Sequence, residues 1–199
     1  MSSQKNVVFD VVGTCFTFSA FFATIEAQIG EKLRGQCVHP QAFGYAWMEA
    51  AEREYAYLSM SKRYQPFLDV FDAIFYRTLW FCGINEPRTF ASDEDKATLI
   101  ASYHNLEPRD GLHEAVQKLR DAGFTVWCLT TGDVGRVRGY FLRNGIEMPE
   151  ENFVSCDQGQ LAKPALEAYQ RVLAKFNEGD ELWFAAAHSW DVSAAKAAG

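Results

Sequence analysis

A short apolar run, Val7-Val8-Phe9, ends on an acid, Asp10, and closes in a turn at Gly13-Thr14; the next comparable run waits until Phe124. Runs of this β-branched and aromatic make read as strands buried on both faces, the kind found in parallel sheets. Between them, residues 17–105 read almost wholly helical. Phe43, Trp47, Ala51, Tyr55 and Leu58 share one stripe, and Phe67, Val70, Phe71, Ile74 and Phe75 share another, with Pro66 suited to the first turn of that second helix. A helical insert of this length is far beyond an ordinary connection between strands and is read as a cap. An α/β core interrupted once, directly after its first strand, is the expected architecture.

Past about residue 107 the rhythm changes. Asp110 suits the cap of a helix with Leu112, Val116 and Leu119 on its apolar face, ended by Gly123. Phe124–Leu129 follows as a strand, then the turn Thr130-Thr131-Gly132-Asp133 and a helix running to Asn144-Gly145. Residues 153–156 read as a third strand, 165–176 as a helix after Lys163-Pro164, and 181–186 as a fourth strand. His188-Ser189-Trp190-Asp191 then opens an Ala-rich helix. Strand–helix alternation with right-handed crossovers predicts a Rossmann-like parallel sheet with helices on both faces, built from residues 1–16 and 106–199.

Composition excludes several classes. Of 199 residues, 48% are apolar and 23% charged, which suits a folded globular chain rather than a disordered one. A formal charge of −7 provides no general attraction for nucleic acid or anionic lipid. The five cysteines are scattered, without zinc spacing, and the N-terminus lacks a signal-peptide layout, so a reduced, soluble, cytoplasmic protein is expected.

Four strand-end loops converge where doubly wound sheets bind ligands. They bring Asp10, Gly13 and Thr14; Thr130 and Thr131; Lys163; and His188 with Asp191. Taken singly, each has a plain structural reading: Asp10 as a turn former, Lys163 as a solvated lysine at a helix start, Asp191 as a helix cap.

Taken together, Asp-x-x-Gly-Thr, strand-Thr-Thr-Gly, Lys-Pro and Trp-Asp before a small-residue helix resemble the haloacid dehalogenase superfamily, whose cap the long insert also resembles. Within it the chain is most similar to the 2-haloacid (type II) dehalogenases, in which a Tyr stands six positions after the Lys, as Tyr169 does here. The resemblance implies a hydrolase using Asp10 as nucleophile to form an ester, with Lys163 keeping that carboxylate ionised. It implies that Thr14 and Thr130 hold the carboxylate and oxyanion, and that Asp191 orients the hydrolytic water. His188 is a further candidate, to accept a proton, stabilise a leaving anion or fix its loop. Val12, Thr131, Tyr169 and Trp190, with Trp47 and Met48 of the insert, are the candidate substrate contacts, although cap-core packing is the favoured reading for most of the aromatic group Phe43, Trp47, Tyr55 and Tyr57. The partner implied is a small-molecule substrate, with a homodimer through the cap as a further expectation. No cofactor is implied, and Mg²⁺ only for a phosphatase. By resemblance another strand and helix would follow Gly199.

Two positions depart from the pattern. Phosphatases of this superfamily carry an Asp two residues after the nucleophile as general acid and base; Val12 stands there and disfavours that activity. The dehalogenases carry an aromatic residue at that place, and an Arg just after a cap Trp that binds the leaving halide. Met48 follows Trp47 instead. Two alternatives therefore stay open: an enzyme of the same scaffold acting on a larger apolar metabolite, with Asp10 as nucleophile or general base, and a catalytically silent binding protein.

Overall fold

Val7 and Val8, buried at 5% and 4% exposure, form the middle of the first strand of a parallel sheet. The computed structural model describes residues 3–199; Met1 and Ser2, which the expected core segment 1–16 includes, lie outside the described residues. In chain order, β1 (Lys5–Phe9) and β2 (Phe16–Thr17) precede α1 (Ser19–Gly35), α2 (Pro40–Met60), α3 (Phe67–Ala73), α4 (Phe75–Phe81), α5 (Pro87–Phe90) and α6 (Asp93–Tyr103). Then come β3 (Glu107–Pro108), α7 (Leu112–Asp121), β4 (Phe124–Thr130), α8 (Val134–Arg143), β5 (Phe153–Ser155), α9 (Cys156–Gly159), α10 (Leu166–Leu173), β6 (Glu181–Ala185) and α11 (Ser189–Ala198). The chain separates into two compact units, residues up to Thr17 together with Pro108–Gly199, and Phe18–Glu107.

In the first unit the sheet order is β5-β4-β1-β6, with every pairing parallel. The chain builds outward from β1 through β4 to β5, then returns to lay β6 on the other side of β1. The order thus reverses at β1, and its carboxyl end is the place where open α/β sheets form a crevice. Alternation along the strands feeds two faces. Val8, Leu129 and Val154 pack with Ala168, Tyr169 and Val172 of α10, while Phe153 meets Phe141 of α8 at 5.7 Å between ring centroids. Buried Asn6 is satisfied at its oxygen only: Oδ1 accepts from the Trp127 indole at 3.0 Å, while Nδ2 has no hydrogen-bond partner. The α/β fold expected from the sequence is the one observed.

Local differences have physical reasons. The N-cap of α7 is Gly111, in the left-handed region at φ 79°, in place of Asp110. Cys156 opens α9 rather than ending β5, because the Ser155 hydroxyl accepts from the Asp157 amide and turns the chain there. The second aromatic stripe of the insert is split between α3 and α4 at Ile74.

The second unit is held by aromatic rings. Trp47 stacks on Phe71 at 3.9 Å between centroids, nearly coplanar, and its indole N–H donates to the Phe71 carbonyl at 2.7 Å. Phe21, Phe43 and Phe75 close around the same indole, and Tyr103 reaches Phe71 at 5.0 Å. Ser92 and Asp95 form a reciprocal capping box at the start of α6. Among the described residues no helix is long and apolar enough to cross a membrane.

Trp47→Ala removes the largest fully buried side chain at the centre of this cluster and is expected to cost about 3–5 kcal/mol in denaturant unfolding. Trp47→Phe keeps a ring against Phe71 and loses the hydrogen bond, so a cost of about 1–2 kcal/mol is expected in the same measurement.

Candidate active site

Asp10 follows directly on β1, and its backbone is fixed from both sides. Its amide donates to the Ala185 carbonyl of β6 at 3.0 Å, and its carbonyl accepts from the Cys15 thiol at 3.3 Å. The side chain is gripped as closely. Thr14 Oγ1 donates to Asp10 Oδ2 at 2.6 Å and itself accepts from the Ala187 amide at 2.8 Å, which ties the loop after β1 to the loop after β6. Gly13 lies at φ 86°, a conformation that glycine adopts at no steric cost, and this lets the chain fold back so that Thr14 reaches the carboxylate.

Lys163 completes the arrangement. Its Nζ donates to Asp10 Oδ1 and to Asp191 Oδ2, each at 2.9 Å. The side chains of Lys163 and Asp191 are 1% and 0% exposed and that of Asp10 is 11% exposed. Lys163 is therefore no solvated helix-start lysine, and Asp191 does more than begin α11. Burial by itself would push the Lys163 ammonium down, but the Asp10 and Asp191 carboxylates outweigh it and hold the group above the ordinary lysine range. Behind Asp191 stands Tyr169, whose hydroxyl donates to Asp191 Oδ1. Burial and that carboxylate push the phenol well above its usual range, so it remains a donor.

The other expected residues fall into two groups. Thr130 ends β4 and is buried, and its hydroxyl oxygen accepts from the Gly132 amide at 3.2 Å, closing the Thr130–Gly132 turn. His188 and Trp190 stack on each other at 5.5 Å beside Asp191; Val12 and Thr131 are half-buried on the neighbouring strand-end loops. Tyr169, expected on the substrate side, is instead 1% exposed and committed to Asp191, because α10 turns it into the core. Trp47 is enclosed by the rings of its own unit, and Met48 is buried at 4% exposure.

Two residues were not foreseen. Cys15 holds the Asp10 carbonyl, and Arg109 donates to the carbonyls of Gly13 and Thr14. A lone Cys and a lone Arg carry no pattern by themselves, and the turn that brings Cys15 back to Asp10 was the one available signal. Burial first, and then the Asp10 carboxylate, push the Cys15 thiol far up, so it acts as a neutral donor and no thiolate.

The haloacid dehalogenase-like hydrolase family model matches residues 4–199. The chain belongs to that family. No curated protein sequence matches it. Among solved structures it is similar to an L-2-haloacid dehalogenase at 20% identity and TM-score 0.81, over 100% of this chain and 84% of that one. It is also similar to the L-2-haloacid dehalogenase of Xanthobacter autotrophicus, at 19% identity and TM-score 0.77, over 98% of this chain and 75% of that one. The structure of that enzyme with chloropropionic acid covalently bound aligns at 20% identity and TM-score 0.74, over 98% and 75% of the two chains. At such identities the likeness is one of fold. The family places the chain among the haloacid dehalogenase-like hydrolases.

Lys163→Met leaves two carboxylates facing each other without their cation, and a loss of about 3–5 kcal/mol is expected in urea unfolding at pH 7. The double variant with Asp191→Asn should recover part of that loss. The sign of the pH dependence follows from a raised folded-state pKa. The Lys163 contribution is fully present below the ordinary lysine value of 10.5 and is lost as pH rises beyond it through the folded value. Wild-type unfolding curves from pH 7 to 10 should therefore show no decline traceable to Lys163.

Proposed function

We propose that this protein hydrolyses the carbon–halogen bond of a small 2-haloacid through an ester on Asp10. The observation that carries this reading is the buried ammonium of Lys163 donating at once to Asp10 and Asp191. A carboxylate in water is a weak nucleophile; one shielded from water and held between a hydroxyl and an ammonium is oriented for attack. A carboxylate oxygen of Asp10 attacks C2 opposite the halogen. The new C–O bond forms as the carbon–halogen bond breaks, the electron pair leaves with the halide, and the configuration at C2 inverts. Water oriented by Asp191 and Lys163 then adds to the Asp10 side-chain carbonyl carbon. Expulsion of the substrate oxygen releases a 2-hydroxy acid and restores the carboxylate, with the remaining proton passing to solvent. Thr14 steadies the carboxylate through attack and the oxyanion through hydrolysis, and Thr130 keeps the adjoining loop in place. His188, Trp190, Val12 and Thr131 are the nearby candidates for substrate contact.

The absence of an acid at Val12 agrees with this chemistry. A phosphate ester needs a proton for its leaving alkoxide, whereas a halide departs without one. The two carboxylates are joined by an ammonium, and among the described residues no group of three or more His, Cys, Asp or Glu side chains could hold a metal ion. The reaction as proposed draws on no cofactor. Apolar Val12 favours a second reading in which the same Asp10 acts on a larger apolar substrate.

Halide release from a panel of short 2-haloacids, with chelator present, is the direct test. Release by the wild type that falls at least about a thousandfold in Asp10→Asn is the expected result. A single turnover in ¹⁸O-water should place the label in the Asp10 carboxylate and leave the first product unlabelled. Label appearing directly in the product would make Asp10 a general base. A folded protein that releases no halide overturns the dehalogenase reading in favour of the larger apolar substrate.

A further inference from the structure

The loop carrying Asp10 is held partly by its own backbone. Gly13 N–H donates to the Phe16 carbonyl at 2.9 Å, and the amides of Cys15 and Phe16 both donate to the Val11 carbonyl, at 2.8 and 3.1 Å. The carbonyls of Gly13, Thr14 and Cys15 point elsewhere, and one residue receives all three. Arg109 donates from Nη2 to Gly13 O at 2.7 Å, from Nε to Thr14 O at 2.9 Å and from its backbone amide to Cys15 O at 2.9 Å. Between them these bonds fix the peptide planes after Gly13, Thr14 and Cys15, since a carbonyl and the amide that follows it lie in one plane.

We propose that Arg109 is a positioning residue for Asp10, acting through the loop that presents the Thr14 hydroxyl. Thr14 Oγ1 holds Asp10 Oδ2, so the direction of that hydroxyl is set by the Thr14 backbone. That backbone is pinned on its carbonyl side by the planar guanidinium fork. The side chain of Arg109 belongs to an exposed residue, yet its donors are directed inward at the loop. A lysine at this place offers one ammonium without the fork, and can reach one carbonyl in good geometry. Only the catalytic consequence rests on the dehalogenase reading; the clamp on the loop does not.

The test compares wild type with Arg109→Lys and Arg109→Met in the full chain. Hydrogen exchange followed by mass spectrometry should show the segment 11–17 exchanging at least about tenfold faster in Arg109→Met and to an intermediate degree in Arg109→Lys. Exchange in the strand 124–130 should stay as in wild type. Halide release should fall about tenfold or more in kcat for the Met variant with KM within about twofold, and the Lys variant should be partly restored, because misplacing a reacting group by a fraction of an ångström acts on the chemical step. Unchanged exchange over 11–17 overturns the proposal. So does faster exchange spread evenly over the whole α/β unit, or kcat unchanged while 11–17 loosens. If the wild type releases no halide, the dehalogenase reading fails and the exchange result still decides the clamp.

Discussion

A lysine ammonium with 1% of its side chain exposed cannot stand alone inside a protein, and the rest of the α/β unit is arranged to keep Lys163 company. Its two partners lie 153 and 28 residues away in sequence, so no local structure can bring them together. A parallel sheet does so by construction: every strand points the same way, and every following loop arrives at the same edge. Asp10 comes from the end of β1, Lys163 from the loop beyond β5 and α9, and Asp191 from the first turn of α11 after β6. The reversal of strand order at β1 leaves room at that edge, and the three charged groups fill the floor of it.

The same constraint explains why some residues of the site were legible in the sequence and others were not. Asp10, Thr14, Lys163 and Asp191 each end or follow a recognisable strand, and their order along the chain is a pattern in itself. Tyr169 was legible as a member of that pattern, but its direction was not. Its spacing from Lys163 places it on α10, and whether it faces substrate or core depends on how α10 rolls against the sheet. With Val172 and Ala168 on the buried face, the ring is drawn inside and its hydroxyl finds Asp191. Arg109 left no trace because its contacts are to backbone carbonyls, which any residue supplies. The helix start at Gly111 was missed for a similar reason: an Asp just before a helical run is the usual cap, and only the left-handed turn at the glycine reveals where the helix begins.

Trp47 shows what a periodic stripe supplies inside the insert. The stripe from Phe43 to Tyr55 is buried as its spacing predicts, and only the family resemblance made Trp47 a candidate substrate contact. Within the helical unit the N–H is already given to the Phe71 carbonyl, Phe71 stacks on the ring and Phe75 meets it in a T-shaped contact. A helical unit of this length needs a core of its own, and its largest ring is the residue at the centre of it.

The chemistry open to the site is limited more by what Asp10 lacks than by what it has. Its two carboxylate oxygens are engaged at the end of the strand, one by a neutral hydroxyl and one by the Lys163 ammonium. Two residues on, Val12 offers no proton. A nucleophile without a neighbouring acid suits leaving groups that are stable as free anions, which halides are and alkoxides are not. In the proposed reaction the second step has different needs: a water would be oriented against the Asp10 side-chain carbonyl carbon by Asp191, which shares the Lys163 ammonium with Asp10. On that proposal one buried lysine would serve attack and hydrolysis in turn, and the Tyr169 hydroxyl, which donates to Asp191, would hold its carboxylate in place between them.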